Sequence, residues 1–152
     1  MRDFGRKLEA AKRASTAQLL FKCARLLNER AIATLPVADE TRPRAAHMAL
    51  FPHVDLEHGT RLTTLADKLG VSKQAVAQLV DDLEAMGVMA RVPDPDDGRA
   101  KRVVFTDKGR AAMLDGLAHL RDIEKDLTRA VGRETMASLH EALLALHDHL
   151  TA

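Results

Sequence analysis

Gln74 and Gln78 stand four residues apart in the run Ser72-Lys73-Gln74-Ala75-Val76-Ala77-Gln78. On a helix, that spacing puts both carboxamides on one face. A carboxamide donates and accepts at once, and in a major groove it can pair bidentately with adenine. Ala77 between them is small, so such a helix could sit deep and touch a thymine methyl. Ser72 and Lys73 open the run, where a hydroxyl, an ammonium and free helix N–H groups can meet phosphates. A second group of donors follows in PDPDDGRAKR: Arg99, Lys101 and Arg102, with Arg91 just upstream. An arginine on a glycine-containing turn (here Gly98-Arg99) suits a narrow minor groove, where negative potential concentrates. Asp94, Asp96 and Asp97 look wrong for a polyanion, but aspartates fold turns by accepting nearby backbone N–H groups, and Asp97 could brace Arg99. Taken singly, the glutamine pair is as consistent with a solvated helix face as with base recognition, while the basic turn favours DNA over a solvated hairpin of mixed charge. Their succession in one short stretch favours duplex DNA.

The elements needed to position these groups are readable from periodicity. Leu65, Ala66 and Leu69 form the inner face of a helix over residues 64–69, with Thr63 placed to cap it. Val76, Leu79, Val80 and Leu83 form the inner face of a second helix over residues 73–86, capped by Ser72 and ended by Gly87. Gly70-Val71-Ser72 joins them, and this is the construction of a helix-turn-helix. Residues 88–92 and 102–105 are rich in β-branched side chains and flank the turn formers, which predicts a hairpin with a long tip. Upstream, residues 1–13 read as a loose charged arm, residues 15–35 as a helix, 36–43 as a loop and 44–51 as a short helix. Downstream, Thr106 can cap a long helix over 107–131, Gly132 breaks it, and a last helix runs over 133–150. In that last helix Met136, Leu139, Leu143, Leu146 and Leu150 make a heptad-like seam suited to pairing with another helix. The expected fold class is mainly α with a small β component: a winged helix-turn-helix over residues 44–106, flanked by dimerisation helices at 1–35 and 107–152.

Composition narrows the alternatives. The chain has 152 residues, 46% hydrophobic and 30% charged, ample for a core and unlike a disordered chain. The net charge of +1 requires any DNA-binding charge to be clustered. Trp and Tyr are absent, which disfavours the aromatic platforms of single-strand binders. The first ten residues lack the apolar stretch of a signal peptide, and no apolar run approaches membrane-spanning length, so a cytoplasmic protein without membrane partners is expected. One cysteine fits a reducing compartment. No Gly-rich phosphate loop, nucleophile elbow or metal cluster is present, so no enzyme activity and no cofactor are expected. Seven histidines include no pair at the i, i+4 spacing of a helical metal site.

LTTLADKLGVSKQAVAQLVDDLEAMGVMAR followed by DPDDGRAKRVVFTDKGRA resembles the MarR (multiple antibiotic resistance regulator) family of winged-helix transcription regulators. Asp94, Pro95, Asp97, Arg99, Ala100, Thr106 and Gly109 fill that family's wing and helix-start positions. Gly98 departs from it, since a second basic residue is often found there. The resemblance implies a homodimer on a palindromic operator, with repression relieved by a small ligand. It carries the recognition helix onto residues 72–86 and the wing-tip arginine onto Arg99. It further implies an effector lodged near the dimer helices, for which His47, Met48 and Phe51 are candidate lining residues. Some relatives sense oxidants through a first-helix cysteine. Cys23 lies in such a helix, but on the stripe Leu19, Leu20, Leu26, Leu27 and Ala31, where a packed cysteine is expected before a redox switch. The competing function is a winged helix used as a protein-docking module. The polar face of Gln74 and Gln78 with Arg99 favours DNA, because protein docking draws on aromatic and aliphatic anchors.

Overall fold

Three short helices and a hairpin close around one apolar centre. Leu50, Leu65, Val76, Val80, Leu83, Met89 and Val103 are fully or almost fully buried there, with Phe105 beside them. The computed structural model describes residues 2–152 and comprises two compact units, one up to Ala112 and one Met113–Ala152.

In the first unit, α1 (Arg2–Ala14) and α2 (Thr16–Thr34) lead to α3 (Ala45–Leu50), α4 (Leu62–Leu69) and α5 (Lys73–Ala85). The expected loose arm is therefore a helix. Its charges sit at helical spacing, with Asp3 paired to Arg6 and Lys7 and Glu9 to Lys12, which supports a helix instead of loosening it. Ser15 separates α1 from α2 and caps the latter by accepting the Gln18 N–H. Beyond α3, Phe51–His53 forms one turn of 3-10 helix around Pro52, and Phe51 meets Phe105 edge to face at 5.5 Å.

α4 begins at Leu62 with Arg61 as its N-cap, so Thr63 lies in the first turn and not at the cap. The reason is β1 (Thr60–Arg61), a two-residue strand that delivers the chain straight into the helix. β1 pairs antiparallel with β3 (Asp97–Phe105), which pairs in turn with β2 (Met89–Asp94) in the order β1-β3-β2. Gly59 permits that docking. Its φ is +70°, and a Cβ there would lie 2.6 Å from Val104 Cγ1 and 2.8 Å from the Val103 oxygen. The strands run almost to the tip, leaving only Pro95 and Asp96 between them, so the expected long tip is a tight one. The aspartates make it so: Asp94 Oδ1 accepts the Asp96 N–H at 3.0 Å and Asp97 Oδ1 the Arg99 N–H at 3.1 Å.

The helix-turn-helix joint forms as its residue types require. Gly70 adopts the left-handed conformation at φ +64°, and Ser72 Oγ accepts the Ala75 N–H at 3.1 Å. α5 ends with Lys108 Nζ donating to the Met86 oxygen at 2.6 Å. Thr106 then caps α6 (Asp107–Val131), its Oγ1 accepting the Gly109 N–H at 3.0 Å.

In the second unit, the greater part of α6 is followed by α7 (Arg133–Thr151), with Gly132 at φ +90° between them. Leu114, Leu117, Leu139, Leu143, Leu144, Leu146 and Leu150 are exposed on the single chain. Among the described residues no helix is long and apolar enough to cross a membrane.

Candidate nucleic-acid interface

Once α5 buries Val76, Val80 and Leu83, its opposite face is determined by the 3.6-residue period. Gln74 and Gln78 are exposed on it, Ala77 at its edge is half-buried, and Ser72 and Lys73 are exposed at the helix start. The structure thus brings together on one helix the five residues singled out there. Gln78 is not loose, since its Nε2 donates to Asp82 Oδ1 at 3.3 Å. Arg91 ties this helix to β2. It pairs with Glu84, pairs with Asp81 at 2.8 Å, and donates to the Ala77 carbonyl at 3.1 Å. Its side chain is 18% exposed, and its role is that of a strut between helix and wing.

At the wing, Arg99 and Lys101 are exposed, whereas Arg102 is not extended beside them. Its side chain is only 17% exposed, and its guanidinium is held by Asp94 at 2.9 Å and Asp96 at 2.6 Å. Asp94 also receives Arg61 Nε at 2.5 Å, so one carboxylate with no exposed side-chain surface joins all three strands. The hydrogen bonds from Arg61 first, and then from Arg102, hold the Asp94 carboxyl far below the usual carboxylate range. A folded-state value depressed below 3.8 stabilises the fold at higher pH, and that stability is lost as pH falls from the ordinary carboxylate value toward the folded one. The stability of the wild type toward urea is therefore expected to fall progressively below about pH 5. Asp94→Asn should flatten that acid limb visibly. Asp122→Asn, which removes an exposed carboxylate lowered by Lys125, should leave the limb nearly unchanged. Equal slopes in the two variants would refute the assignment.

The remaining predicted residues are placed differently. His47 is 1% exposed; its Nδ1 accepts the Arg44 backbone N–H at 3.0 Å and its Nε2 faces Asp82 Oδ2 at 3.2 Å. Both ring nitrogens are thus engaged, Nδ1 in capping α3 and Nε2 in joining α3 to α5, while Met48 is exposed and Phe51 packs on Phe105. The three do not share one environment. Cys23 is exposed on the single chain, where α2 has no buried residue at all. Sequence reasoning passed over Asp82, Arg61 and Arg44. Asp82 had a signal, the i, i+4 spacing from Gln78; Arg61 and Arg44 find partners 33 and 38 residues away, which local spacing cannot reveal.

Residues 46–100 match the model of the MarR family. The chain is similar to a MarR-like transcriptional regulator of Thermotoga maritima, with 26% identity over 91% of this chain and 99% of that one and a TM-score of 0.62. It shares its fold with the multiple antibiotic resistance repressor MarR, at 20% identity, coverage of 87% and 94%, and a TM-score of 0.69. It also shares its fold with a mutant MarR from E. coli, at 23% identity, coverage of 87% and 96%, and a TM-score of 0.66. Comparison with curated proteins gives no match.

Proposed function

We propose, from the match of residues 46–100 to the MarR family model and the likeness to MarR-like regulators, that the chain is a MarR-type repressor that binds a palindromic operator as a homodimer and releases it on binding a small effector. The observation that carries DNA recognition is the pairing of two surfaces on one unit. α5 offers Ser72, Lys73, Gln74, Ala77 and Gln78, and the wing offers Arg99 and Lys101, exposed beyond a braced β3. In this reading α5 enters the major groove, Gln74 and Gln78 read base edges, and Ser72 and Lys73 hold phosphates. The wing lies over the adjacent minor groove, with Arg99 at its tip. Arg102 contributes by stiffening the wing through Asp94 more than by extending to DNA.

Dimerisation is assigned to residues 1–35 and 107–152, and DNA binding to residues 44–106. The exposed leucines of α6 and α7 support this, since a contiguous apolar surface in a lone chain marks an interaction site. Two copies would set two α5 helices one helical turn of DNA apart.

Gel-shift titration against the DNA flanking its own gene, in a salt series, tests the reading. Specific binding that weakens steeply with salt is expected. Absence of sequence-specific binding at moderate salt defeats it, and a monomeric mass in solution defeats the palindrome separately. Arg99→Ala is expected to weaken binding nearly uniformly across operator variants and to lower the salt slope by about one. A change of preference at a single base pair would instead give Arg99 a base-reading role.

A further inference from the structure

Asp82 lies one turn beyond Gln78 on α5 and gathers side chains from two helices. Gln78 Nε2 donates to its Oδ1 at 3.3 Å. On the other oxygen, His47 Nε2 stands at 3.2 Å, and the Arg44 guanidinium pairs with the same atom. The direction of each bond follows from chemistry. His47 Nδ1 accepts a main-chain N–H, so it carries no proton; the ring's proton is on Nε2 and points at Asp82. His47 is buried at 1% exposure, and its ring is pinned at both nitrogens, so this donor has a set place. With the buried His47 donor on Oδ2 and the more exposed Arg44 guanidinium on the same atom, Oδ1 is left aimed along the helix at Gln78. The His47 hydrogen bond, above all, also holds the Asp82 carboxyl below its ordinary range, which keeps it ionised and able only to accept.

An unheld glutamine presents its amide either way round. Beside an acceptor-only oxygen one way is excluded, because it would set oxygen against oxygen. The amide of Gln78 must give Nε2 to Asp82, which leaves Oε1 and the second N–H for a ligand. That pair of groups is the complement of the adenine N6 amino group and N7. Preorganisation of this kind removes an ordering penalty at the moment of binding.

We propose that Asp82 is a specificity-positioning residue: clamped by His47 and Arg44, it presets the Gln78 amide to favour adenine over guanine at the base pair it meets. The proposal rests on the reading that Gln78 contacts a base edge, and the experiment separates the two. The full chain is compared as wild type, Gln78→Ala, Asp82→Asn and the double variant, each titrated against duplexes altered one base pair at a time across the protected site. In Asp82→Asn, the asparagine oxygen meets His47 and its Nδ2 faces Gln78. The Gln78 amide then turns over and offers N–H groups outward, which suit the guanine acceptors O6 and N7. The expected result is an about tenfold loss of preference for adenine at the base pair that Gln78→Ala also affects, with no further change in the double variant. Uniform weakening across all duplexes, or strictly additive effects, overturns the proposal while leaving Gln78 as a reader. Unchanged preferences in Gln78→Ala alone overturn the underlying reading and the proposal with it. A measurement on the wild type needs no variant to fold: the Gln78 side-chain amide should be ordered by NMR relaxation in the free protein, and a freely rotating amide refutes the clamp.

Discussion

Gly109→Ala is expected to destabilise the winged-helix unit by about 3 kcal/mol, the upper part of the range for overpacked sites. Alanine is the better helix former by about 1 kcal/mol, so propensity alone argues for a gain. Geometry reverses the sign. A Cβ at Gly109 would lie 2.0 Å from the Val88 carbonyl oxygen and 3.3 Å from Phe105 Cδ1. Val88 has little freedom to retreat, since its oxygen also accepts the Thr106 N–H at 3.1 Å, and Thr106 Oγ1 donates to the Gly87 oxygen at 2.6 Å. The hydroxyl's own acceptor role in capping α6 holds the helix start against the same carbonyl. Gly5→Ala is the control. Nothing lies within 4 Å of its Cβ, and a gain of about 0.5 kcal/mol or no change is expected. Denaturant unfolding of both variants with unchanged m-values checks the pair. A loss below about 1 kcal/mol at Gly109 would mean that the contact relaxes freely.

Gln78→Ala is expected to cost about 1–3 kcal/mol of discrimination at one base pair in each half-site, a factor of about 5 to 150. Affinity for non-specific DNA should change little, because the phosphate contacts proposed for Ser72 and Lys73 lie elsewhere and contacts of that kind carry most of such binding. The side chain is exposed, so thermal unfolding of the free protein should move little. Competitive titration against a single-base-pair panel reads the effect directly. An equal loss on every sequence would place Gln78 among the backbone-contacting residues.

Much of the fold was open to inspection in the residues themselves. Gly70 and Ser72 are suited by residue type to a left-handed helix end and a helix cap, and both do that here. Thr106 and Gly132 likewise mark the boundaries of α6 at the positions their types imply. Charge was the poorer guide. The dense charges of residues 1–13 suggested a loose arm, yet pairs three and four apart belong to a helix. The two-residue strand Thr60–Arg61 has no period to detect, and only its partner on β3 makes it a strand.

The candidate site divides in the same way. Which residues of α5 face outward follows from the 3.6-residue period once Val76, Val80 and Leu83 turn inward, so Gln74 and Gln78 could be chosen from spacing. Which arginines are available could not. Arg91, Arg99 and Arg102 are the same residue type in the same short stretch, but only Arg99 is exposed. Arg91 is spent on Glu84 and Asp81, and Arg102 on Asp94. Alternation counted from buried Met89 places Asp94 on the outward side, and the register irregularity between Pro93 and Asp94 breaks that count. The amino-acid sequence by itself therefore determined most of the helices, caps such as Ser72 and Thr106, and the inner and outer faces of α5, because periodicity and capping act between near neighbours in the chain. Only the tertiary structure decided which charges remain free to meet DNA. An ion pair is made with whatever the fold brings within a few ångströms, and for Arg61, Arg44 and His47 that partner lies more than thirty residues away.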